Sequence, residues 1–315
     1  RAAFAPGTRA PLLVGACSCT EQGRTPGPLG RAGQRDDLDV FLLLGDTSYN
    51  DGCETIAEYR TQWAANLSSP EYRALRAATS VLATWDDHEV TNNFNPETID
   101  AAARQTYFEA LPLRRDADAP DRLWKSLTWG DTAEFFVLDA RGERQPSTRG
   151  VLNDPNIYLS PEQLDWLKAA LKASTATFKV IMNSTPVTDF GFSVFTGDAW
   201  VSYPRQREAL LSYIEDEAIE GVLWISGDHH FASVGRVTGP LQLGPGKGAW
   251  EVLAGPGAQS ANPAYLALQA NPSRWPIATG TNNYATFAFD PATREVRVGF
   301  VNGSGQEFAA RTLTL

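Results

Sequence analysis

Six hydrophobic runs recur along the first 226 residues, and each of them ends in polar residues. The runs are rich in Val, Ile, Leu and Phe, which is typical of strands covered on both faces. They are PLLVGACSC, DVFLLLGDTSYND, SVLATWDDHE, AEFFVLDAR, FKVIMNSTPV and GVLWISGDHH, and they end at Cys17 and Cys19, Asp46, Asp86 to His88, Asp139, Asn183 and Asp228. The pattern predicts six buried strands that deliver polar groups at their carboxyl ends.

Segments with helical periodicity lie between these runs. They are TIAEYRTQWAANL, AAARQTYFEAL, SPEQLDWLKAALKAS and YPRQREALLSYIEDEAI. The third begins with Ser160, has Pro161 at the first helical position and has Gln163 three residues after the serine, which is the signature of a capped helix start. The alternation predicts an α/β sheet, whose ligands bind beyond the carboxyl ends of the strands, where the polar residues collect.

After Phe231 the pattern changes to short alternating runs, SVGRVTG, GAWEVLAG, YATFAFD and EVRVGFVNG, separated by Gly, Pro and Asn. These runs predict antiparallel strands and hairpins that extend or cap the same core. Because no sharp linker, internal repeat or low-complexity segment interrupts the chain, we expect one domain over residues 1–315.

The composition narrows the classes of function. The formal net charge is −10 without any block of Lys and Arg, so we expect no nucleic-acid partner. No apolar run approaches the roughly 20 residues of a membrane span, so we expect none. The sequence begins at Arg1 rather than Met, which we interpret as a processed or trimmed N-terminus and as an indication of a secreted or periplasmic protein.

All three histidines of the chain stand beside aspartates, His229 and His230 in GDHHF and His88 in TWDDHEVTNN. Imidazole is the commonest metal ligand in proteins and titrates near neutral pH, so this placement indicates metal or acid–base chemistry. The alternative is a set of turn and cap residues, where Asp is common in any protein. Three cysteines allow one disulfide and leave one thiol over, which points to a reactive or metal-bound thiol.

The strand ends hold a set of potential metal ligands, which are Cys17 or Cys19, Asp46, Tyr49, Asp87, Asn93, Asp228 and His230. A carboxylate at the end of a strand, such as Asp46, can bridge two cations. A phenol with a pKa near 10 ligates well only as phenolate, which a trivalent ion favours. Iron(III) accepts phenolate, thiolate and imidazole, so it suits Tyr49 and its neighbours.

These motifs resemble the PhoD-like alkaline phosphatase and phosphodiesterase family of the calcineurin-like metallophosphatase superfamily. GDTSYNDG is similar to the GDxxY block of that family, ATWDDHEVTNN to its WDDHE block and GDHHF to its GDxH block; SCTEQ, VLDAR and GDAWVSYPRQREALL are similar to three further segments. The resemblance runs from about residue 12 to the end. It implies a metallophosphatase-type βαββα sandwich with mixed central sheets and an antiparallel C-terminal part.

The resemblance also implies two cations. The expected ligands of an iron(III) ion are a cysteine, Asp46, Tyr49 and His230. The expected ligands of a second, divalent ion, calcium in the relatives, are Asp46, Asp87, Asn93 and Asp228. Because this second set is nearly all oxygen, Mg²⁺ or Mn²⁺ can replace Ca²⁺.

Two departures from the family pattern leave alternatives open. Alignment on SCTEQ favours Cys19 as the metal ligand and leaves Cys17 to pair with Cys53, but the opposite arrangement stays open. His229 stands where the family usually has Arg, so it either contacts the phosphate or supports a metal ligand from behind.

The resemblance implies hydrolysis of small phosphate esters, both diesters and monoesters. Two cations that share a bridging hydroxide lower its pKa and clamp the phosphoryl oxygens for in-line attack. We expect His88 to bind the phosphoryl oxygen or protonate the leaving group, and Arg141 to neutralise developing charge. Asn92, Trp200 and His229 are the expected substrate contacts. The alternatives are a phosphodiesterase or phosphotriesterase-like hydrolase with little monoesterase activity, and a metal-binding relative without turnover.

Overall fold

The computed structural model describes residues 2–97, 99, 101–111, 113–146, 157–191, 197–237, 244–246 and 248–315. The strands of this part of the chain are β1 (Leu12–Cys17), β2 (Val40–Leu44), β3 (Ser80–Thr84), β4 (Lys125–Trp129), β5 (Ala133–Val137), β6 (Phe178–Met182), β7 (Val222–Ser226), β8 (Ala232–Arg236), β9 (Trp250–Leu253), β10 (Ile277–Thr279), β11 (Asn283–Asp290), β12 (Glu295–Asn302) and β13 (Glu307–Thr314). The helices are α1 (Gly27–Ala32), α2 (Ile56–Leu67), α3 (Pro70–Ala78), α4 (Ala101–Ala110), α5 (Pro161–Ala173), α6 (Pro204–Asp216) and α7 (Tyr265–Gln269).

The strands form two mixed sheets. The first has the order β13-β12-β11-β1-β2-β3, in which β1, β2 and β3 are parallel and the strands from β11 to β13 are antiparallel. The second has the order β10-β8-β9-β7-β6-β5-β4, in which β5, β6, β7 and β9 are parallel. The parallel strands of each sheet therefore end at a common edge.

The two sheets share one hydrophobic core. Val14 and Leu42 of the first sheet belong to the same buried cluster as Val180 of the second. Side chains alternate along β5, where Phe135 faces this core and Phe136 faces an outer cluster with α5 and α6. On the other side, α1 contacts β11, β12 and α3. The layers run helix, sheet, sheet, helix.

The predicted fold class is confirmed, because both sheets are mixed and the C-terminal strands from β11 to β13 are antiparallel. All six predicted strands and all four predicted helices are present. The predicted cap of α5 also forms, since the Ser160 hydroxyl accepts a hydrogen bond from the Gln163 backbone at 3.2 Å. Residues 238 and 239 of the run SVGRVTG lie outside the described residues.

The fold contains elements that the hydrophobic pattern did not predict. These are β4, β10, β13, α1, α3 and α7. In β13 most side chains are partly or fully exposed, so the strand has no apolar run to reveal it. Within the described residues, no helix is long and apolar enough to cross a membrane.

Candidate metal centre

The residues that follow β1, β2, β3 and β7 converge into one cluster of potential ligands. The cluster contains three sets whose ligand atoms lie within 4.8 Å of one another: Cys19, Asp46 and His230; Asp46, Asp87 and His88; Asp86, Asp87 and Asp228. Asp46 and Asp87 each belong to two sets, so the three sets are contiguous. The carboxyl ends of parallel strands from both sheets therefore supply one site, as the sequence predicted.

The backbone at these strand ends is strained. Five of the predicted ligands have a positive φ: 58° at Cys19, 53° at Asp46, 59° at Asn93, 67° at Asp228 and 54° at His230. This left-handed region is uncommon for residues other than glycine, and unfavourable backbone conformations concentrate at functional sites. Among the other non-glycine residues that the structure describes, only two share it. The sharp turns direct neighbouring side chains away from the strand axes and into the cluster.

The first set combines a thiol, a carboxylate and an imidazole with a phenol beside them. The Tyr49 hydroxyl donates a hydrogen bond to Asp46 Oδ2 at 3.2 Å. The side chain of Gln22 holds the backbone of Tyr49, because Oε1 accepts from its N–H at 2.8 Å and Nε2 donates to its carbonyl at 3.0 Å. Thiolate, phenolate and imidazole are ligands that iron(III) accepts, so the chemistry of this set fits the predicted ion.

Cys19 lies in the cluster, whereas Cys17 lies in the hydrophobic core. The Cys17 thiol points to the carbonyl of Asn283 at 3.4 Å. Cys17, Cys19 and Cys53 are all free thiols, so the expected disulfide between Cys17 and Cys53 is absent and that prediction is wrong. The physical reason is that Cys17 is 1% exposed and is enclosed between β2 and β11, while Cys53 lies in a half-buried loop after β2.

The second and third sets are dominated by carboxylates. Asp87 accepts hydrogen bonds from the backbone N–H of His88 at 3.0 Å and of Asn93 at 2.8 Å. Asn93 itself is exposed, and it stays a predicted ligand. Asp86 was not predicted, although it belongs to the third set, and its Oδ1 accepts from Ser184 at 2.8 Å. A set of this kind, nearly all oxygen, suits a hard divalent ion.

The electrostatics of the cluster favour bound cations. Burial, followed by the charges of Asp87 and Asp86, raises the pKa of Asp46 well above its ordinary value. Burial and then the charge of Asp46 also raise the pKa values of Cys19 and Tyr49. Oδ2 of Asp86 is buried and has no hydrogen-bond partner among the described residues. Crowded buried carboxylates of this kind are stabilised by positive charge, so the residues present fit the two cations.

Glu89 is a buried carboxylate that sequence reasoning missed. It accepts hydrogen bonds from the backbone N–H groups of Asp46 at 3.1 Å, Thr47 at 2.6 Å and Asp86 at 2.9 Å. These bonds tie the turn after β2 to the turn after β3. The signal was present in the sequence, because Glu89 directly follows His88 in WDDHE.

His88 lies at the open side of the cluster, where its side chain is 19% exposed. Its Nδ1 pairs with Asp51 Oδ2 at 2.6 Å, and its ring stacks on Tyr49 with the centroids 4.2 Å apart. Burial would lower the pKa of His88, but the hydrogen bond with Asp51 and nearby carboxylates raise it to about 9. The other carboxylate oxygen of Asp51 accepts from the backbone N–H of Asn92 at 2.7 Å. Asp51 was missed, although it lies within GDTSYNDG.

Arg141 is fully buried beside the carboxylates of the cluster. Its guanidinium pairs with Asp86 at 2.5 Å and with Asp198 at 2.7 Å, and Nη2 lies 3.6 Å from Asp228. With 0% of its side chain exposed, Arg141 balances the charge of these carboxylates. Its role in neutralising developing charge on the substrate stays a prediction.

The expected substrate contacts differ in their placement. Asn92 is exposed beside the pair of His88 and Asp51, so it stays a predicted contact. Trp200 is 0% exposed and packs on Tyr158, with ring centroids 4.3 Å apart, in the outer hydrophobic cluster. Hydrophobic packing against α6 and the second sheet encloses the ring, and a contact of Trp200 with substrate stays a prediction.

His229 is also buried, with 7% exposure, and does not face the open side of the site. Its Nδ1 is 2.8 Å from Oδ2 of Asp228, and its ring lies near Phe190 and Phe231. Burial would raise the pKa of Asp228, but this hydrogen bond and the charges of His229 and Arg141 hold it below its ordinary value. The hydrogen bond favours the alternative in which His229 supports a ligand, and a direct substrate contact stays a prediction.

Comparison with known proteins supports the family resemblance that the sequence motifs indicate. The profile of the PhoD-like phosphatase family matches residues 12–289. Alkaline phosphatase D of Bacillus subtilis (strain 168) is 29% identical over 276 residues, which cover 72% of this chain and 47% of that protein. The chain thus spans about half the length of this curated relative.

Two solved structures have the same fold. A structure of PhoD superposes with a TM-score of 0.83 at 23% identity and covers 99% of this chain and 70% of that chain. The purple acid phosphatase PPD1 from yellow lupin superposes with a TM-score of 0.67 at 15% identity and covers 99% of this chain and 55% of that chain. The family profile spans the strand ends that build the cluster and most of both sheets, and on that match the chain belongs to the PhoD-like phosphatase family.

Proposed function

We propose that this protein is a metal-dependent hydrolase of phosphate esters that cleaves both diesters and monoesters. The observation that carries the proposal is the contiguous cluster at the strand ends, which joins Cys19, Asp46 and His230 to the carboxylates of Asp87 and Asp228. A set with thiol and imidazole next to a set with oxygen alone fits two cations of different character.

The proposed iron(III) ligands are Cys19, Asp46, Tyr49 and His230. The proposed ligands of the divalent ion, Ca²⁺ with Mg²⁺ or Mn²⁺ as alternatives, are Asp46, Asp87, Asn93 and Asp228. When bound, such a pair of cations supplies a nucleophile at neutral pH by lowering the pKa of water and neutralises charge on the phosphoryl group.

His88 is the proposed proton donor to the leaving group. Its Nδ1 is held by Asp51 at 2.6 Å, so the second ring nitrogen, Nε2, remains for the substrate. A ring nitrogen of His88 also lies within 4.8 Å of carboxylate oxygens of Asp46 and Asp87, so metal ligation is the competing role. We favour the proton donor because the hydrogen bond of Nδ1 with Asp51 raises the pKa of His88 against the effect of burial and so stabilises the protonated imidazole.

Spectroscopy tests the iron site without any substrate. Purified protein is expected to contain iron and a hard divalent ion and to absorb in the visible through charge transfer from the Tyr49 phenolate to iron(III). Tyr49→Phe removes the phenolate and should bleach the band while the protein stays folded. Elemental analysis accompanies the spectra, and a Tyr49→Phe protein with the full iron content and an unchanged band would refute the assignment.

Turnover of two chromogenic esters tests the activity. We expect hydrolysis of both p-nitrophenyl phosphate and bis-p-nitrophenyl phosphate, with rates that depend on the bound ions. Cleavage of the diester alone would favour the second candidate, a phosphodiesterase or phosphotriesterase-like hydrolase. Full metal content without turnover of either ester would contradict the proposed activity and favour a metal-binding relative.

We also propose that the protein works outside the cytoplasm, as a secreted or periplasmic protein. Fractionation of the source cells with an antibody against the protein tests it, and a signal confined to the cytoplasmic fraction would contradict it.

A further inference from the structure

We infer that His229 is a positioning residue that holds the Asp228 carboxylate toward the divalent ion and does not contact the substrate. The inference rests on the proposed two-cation site. It concerns the position in GDHHF at which the sequence departs from the pattern of the family.

Both oxygens of the Asp228 carboxylate have a defined direction. Oδ2 receives a hydrogen bond from Nδ1 of His229 at 2.8 Å. Oδ1 lies 3.6 Å from Nη2 of Arg141. Asp228 also belongs to the set with Asp86 and Asp87. The bond to His229 thus fixes the rotation of the carboxylate and leaves Oδ1 for the cluster.

The local backbone explains why Asp228 and His230 belong to the cluster while His229 belongs to none of its three sets. Asp228 and His230 have φ values of 67° and 54°, and the N–H of His229 bonds to the carbonyl of Gly227 at 2.8 Å. A side chain on Gly227 would place its Cβ 2.5 Å from Cβ of Ser18, so the turn requires glycine there. This tight turn directs alternate side chains to opposite sides.

The surroundings of His229 keep its ring in one orientation. The ring centroids of Phe190 and Phe231 lie 5.7 Å and 5.9 Å from that of His229. The residue is 7% exposed, so its imidazole offers little surface to a phosphate ester in the open site. Because aromatic rings pack on two sides of the imidazole, it keeps the orientation in which Nδ1 donates to Asp228.

A hydrogen bond to a ligating carboxylate affects the affinity for the ion. Residues that orient metal ligands in this way typically change affinity or activity about 10-fold to 100-fold when they are replaced. Loss of the hydrogen bond to Asp228 should therefore weaken the binding of the divalent ion. It should spare the iron, whose proposed ligands do not include Asp228.

Calcium titration of matched variants tests the inference. His229→Phe keeps a ring between Phe190 and Phe231 but removes the donor, whereas His229→Asn keeps a donor near the position of Nδ1 and loses the ring. Each iron-containing protein is depleted of divalent ions by mild chelation and titrated with Ca²⁺ in a calorimeter. Iron content and the thermal midpoint are measured on the same samples, and His229→Leu replaces His229→Phe if the latter does not fold.

The expected result is a Ca²⁺ affinity about 10-fold to 100-fold weaker in His229→Phe, with unchanged iron, and near wild-type affinity in His229→Asn. Unchanged Ca²⁺ affinity in His229→Phe would overturn the inference, as would an equal loss in both variants. A raised KM for p-nitrophenyl phosphate with unchanged Ca²⁺ affinity would instead indicate a substrate contact and also overturn it. Wild-type protein that binds none of Ca²⁺, Mg²⁺ and Mn²⁺ would refute the two-cation site itself, which is a separate result.

Discussion

Single residues in this candidate site divide into those proposed to hold cations and those that hold other side chains. Asp51 holds His88 and Glu89 holds the turn at Asp46, each through hydrogen bonds between 2.6 Å and 3.1 Å. The guanidinium of Arg141 supplies positive charge next to the carboxylates of Asp86 and Asp228. Glu89 and Arg141 are buried, whereas Asp51 is exposed and pairs with the half-buried His88, so the partners of these residues are known only from the fold.

At this scale we predict that His88→Ala keeps both metals and loses most activity. A proton donor typically contributes about 10²-fold to 10⁴-fold in rate, and it matters least when the leaving group needs no proton. The loss should therefore be larger for an alkyl phosphate ester than for p-nitrophenyl phosphate. kcat for both esters and the metal content are the measurements.

His230→Ala is the matched control for this prediction, because its imidazole belongs to the set with Cys19 and Asp46. It should lose iron. If His88→Ala emptied a metal position while His230→Ala left both filled, the roles of the two histidines would be reversed.

At the scale of elements, the site is a property of strand ends. β2 stops at Leu44, and the next two residues turn sharply, with φ of 98° at Gly45 and 53° at Asp46. A Cβ on Gly45 would lie 2.4 Å from Cβ of Asp86, after β3. The turn therefore allows two neighbouring strands to bring their carboxylates together at the same edge.

We predict that Gly45→Ala destabilises the protein and releases metal. A positive φ costs a residue other than glycine about 1–2 kcal/mol, and the contact with Asp86 adds to that cost. Gly52→Ala is the control, since Gly52 has φ of 79° but no atom lies within 4 Å of the place that a Cβ would take there. Urea unfolding should show a clearly larger loss of free energy for Gly45→Ala, and equal losses would show that the close approach is unimportant.

At the scale of the whole molecule, two sheets with one shared core bring acidic turns from distant parts of the chain to one place. Asp46 and Asp228 are far apart in sequence, and both lie where parallel strands end. Burial and the neighbouring carboxylates raise the pKa of Asp46, so its ionised form is unfavourable in the folded protein without cations. We therefore expect the proposed cations to stabilise the folded state as well as to serve the chemistry.

We predict that removal of divalent ions lowers the thermal midpoint and that Ca²⁺ restores it. An ion that binds only the folded state adds about 2.7 kcal/mol at a free concentration 100 times its Kd. Asp46→Asn removes a carboxylate that is costly to bury without cations, so after removal of both metals the variant should melt at or above the wild type, and Ca²⁺ should raise its midpoint less. Scanning calorimetry with and without chelator measures both, and a wild-type midpoint that ignores chelation would contradict the prediction.

The sequence by itself determined the fold class and the location of the site. Apolar runs such as VFLLL predict strands that are covered on both faces. The residues that follow parallel strands lie at one edge of a sheet. The family resemblance then identified Cys19, Asp46, Asp87, Asp228 and His230, all of which the structure brings together. The hydrophobic pattern did not predict edge strands such as β13, because their side chains are largely exposed.

Only the tertiary structure decided which side chains face the candidate site and which are enclosed in the interior of the protein. The spacing of residues along the sequence does not show that Arg141 pairs with Asp198 or that Trp200 is buried. Both contacts depend on how α5, α6 and the second sheet pack. The same holds for His229, whose neighbour His230 belongs to the cluster while it does not. A change of φ at one residue redirects its side chain, and the chain has φ of 67° at Asp228 and 54° at His230, directly after the close approach of Gly227 to Ser18.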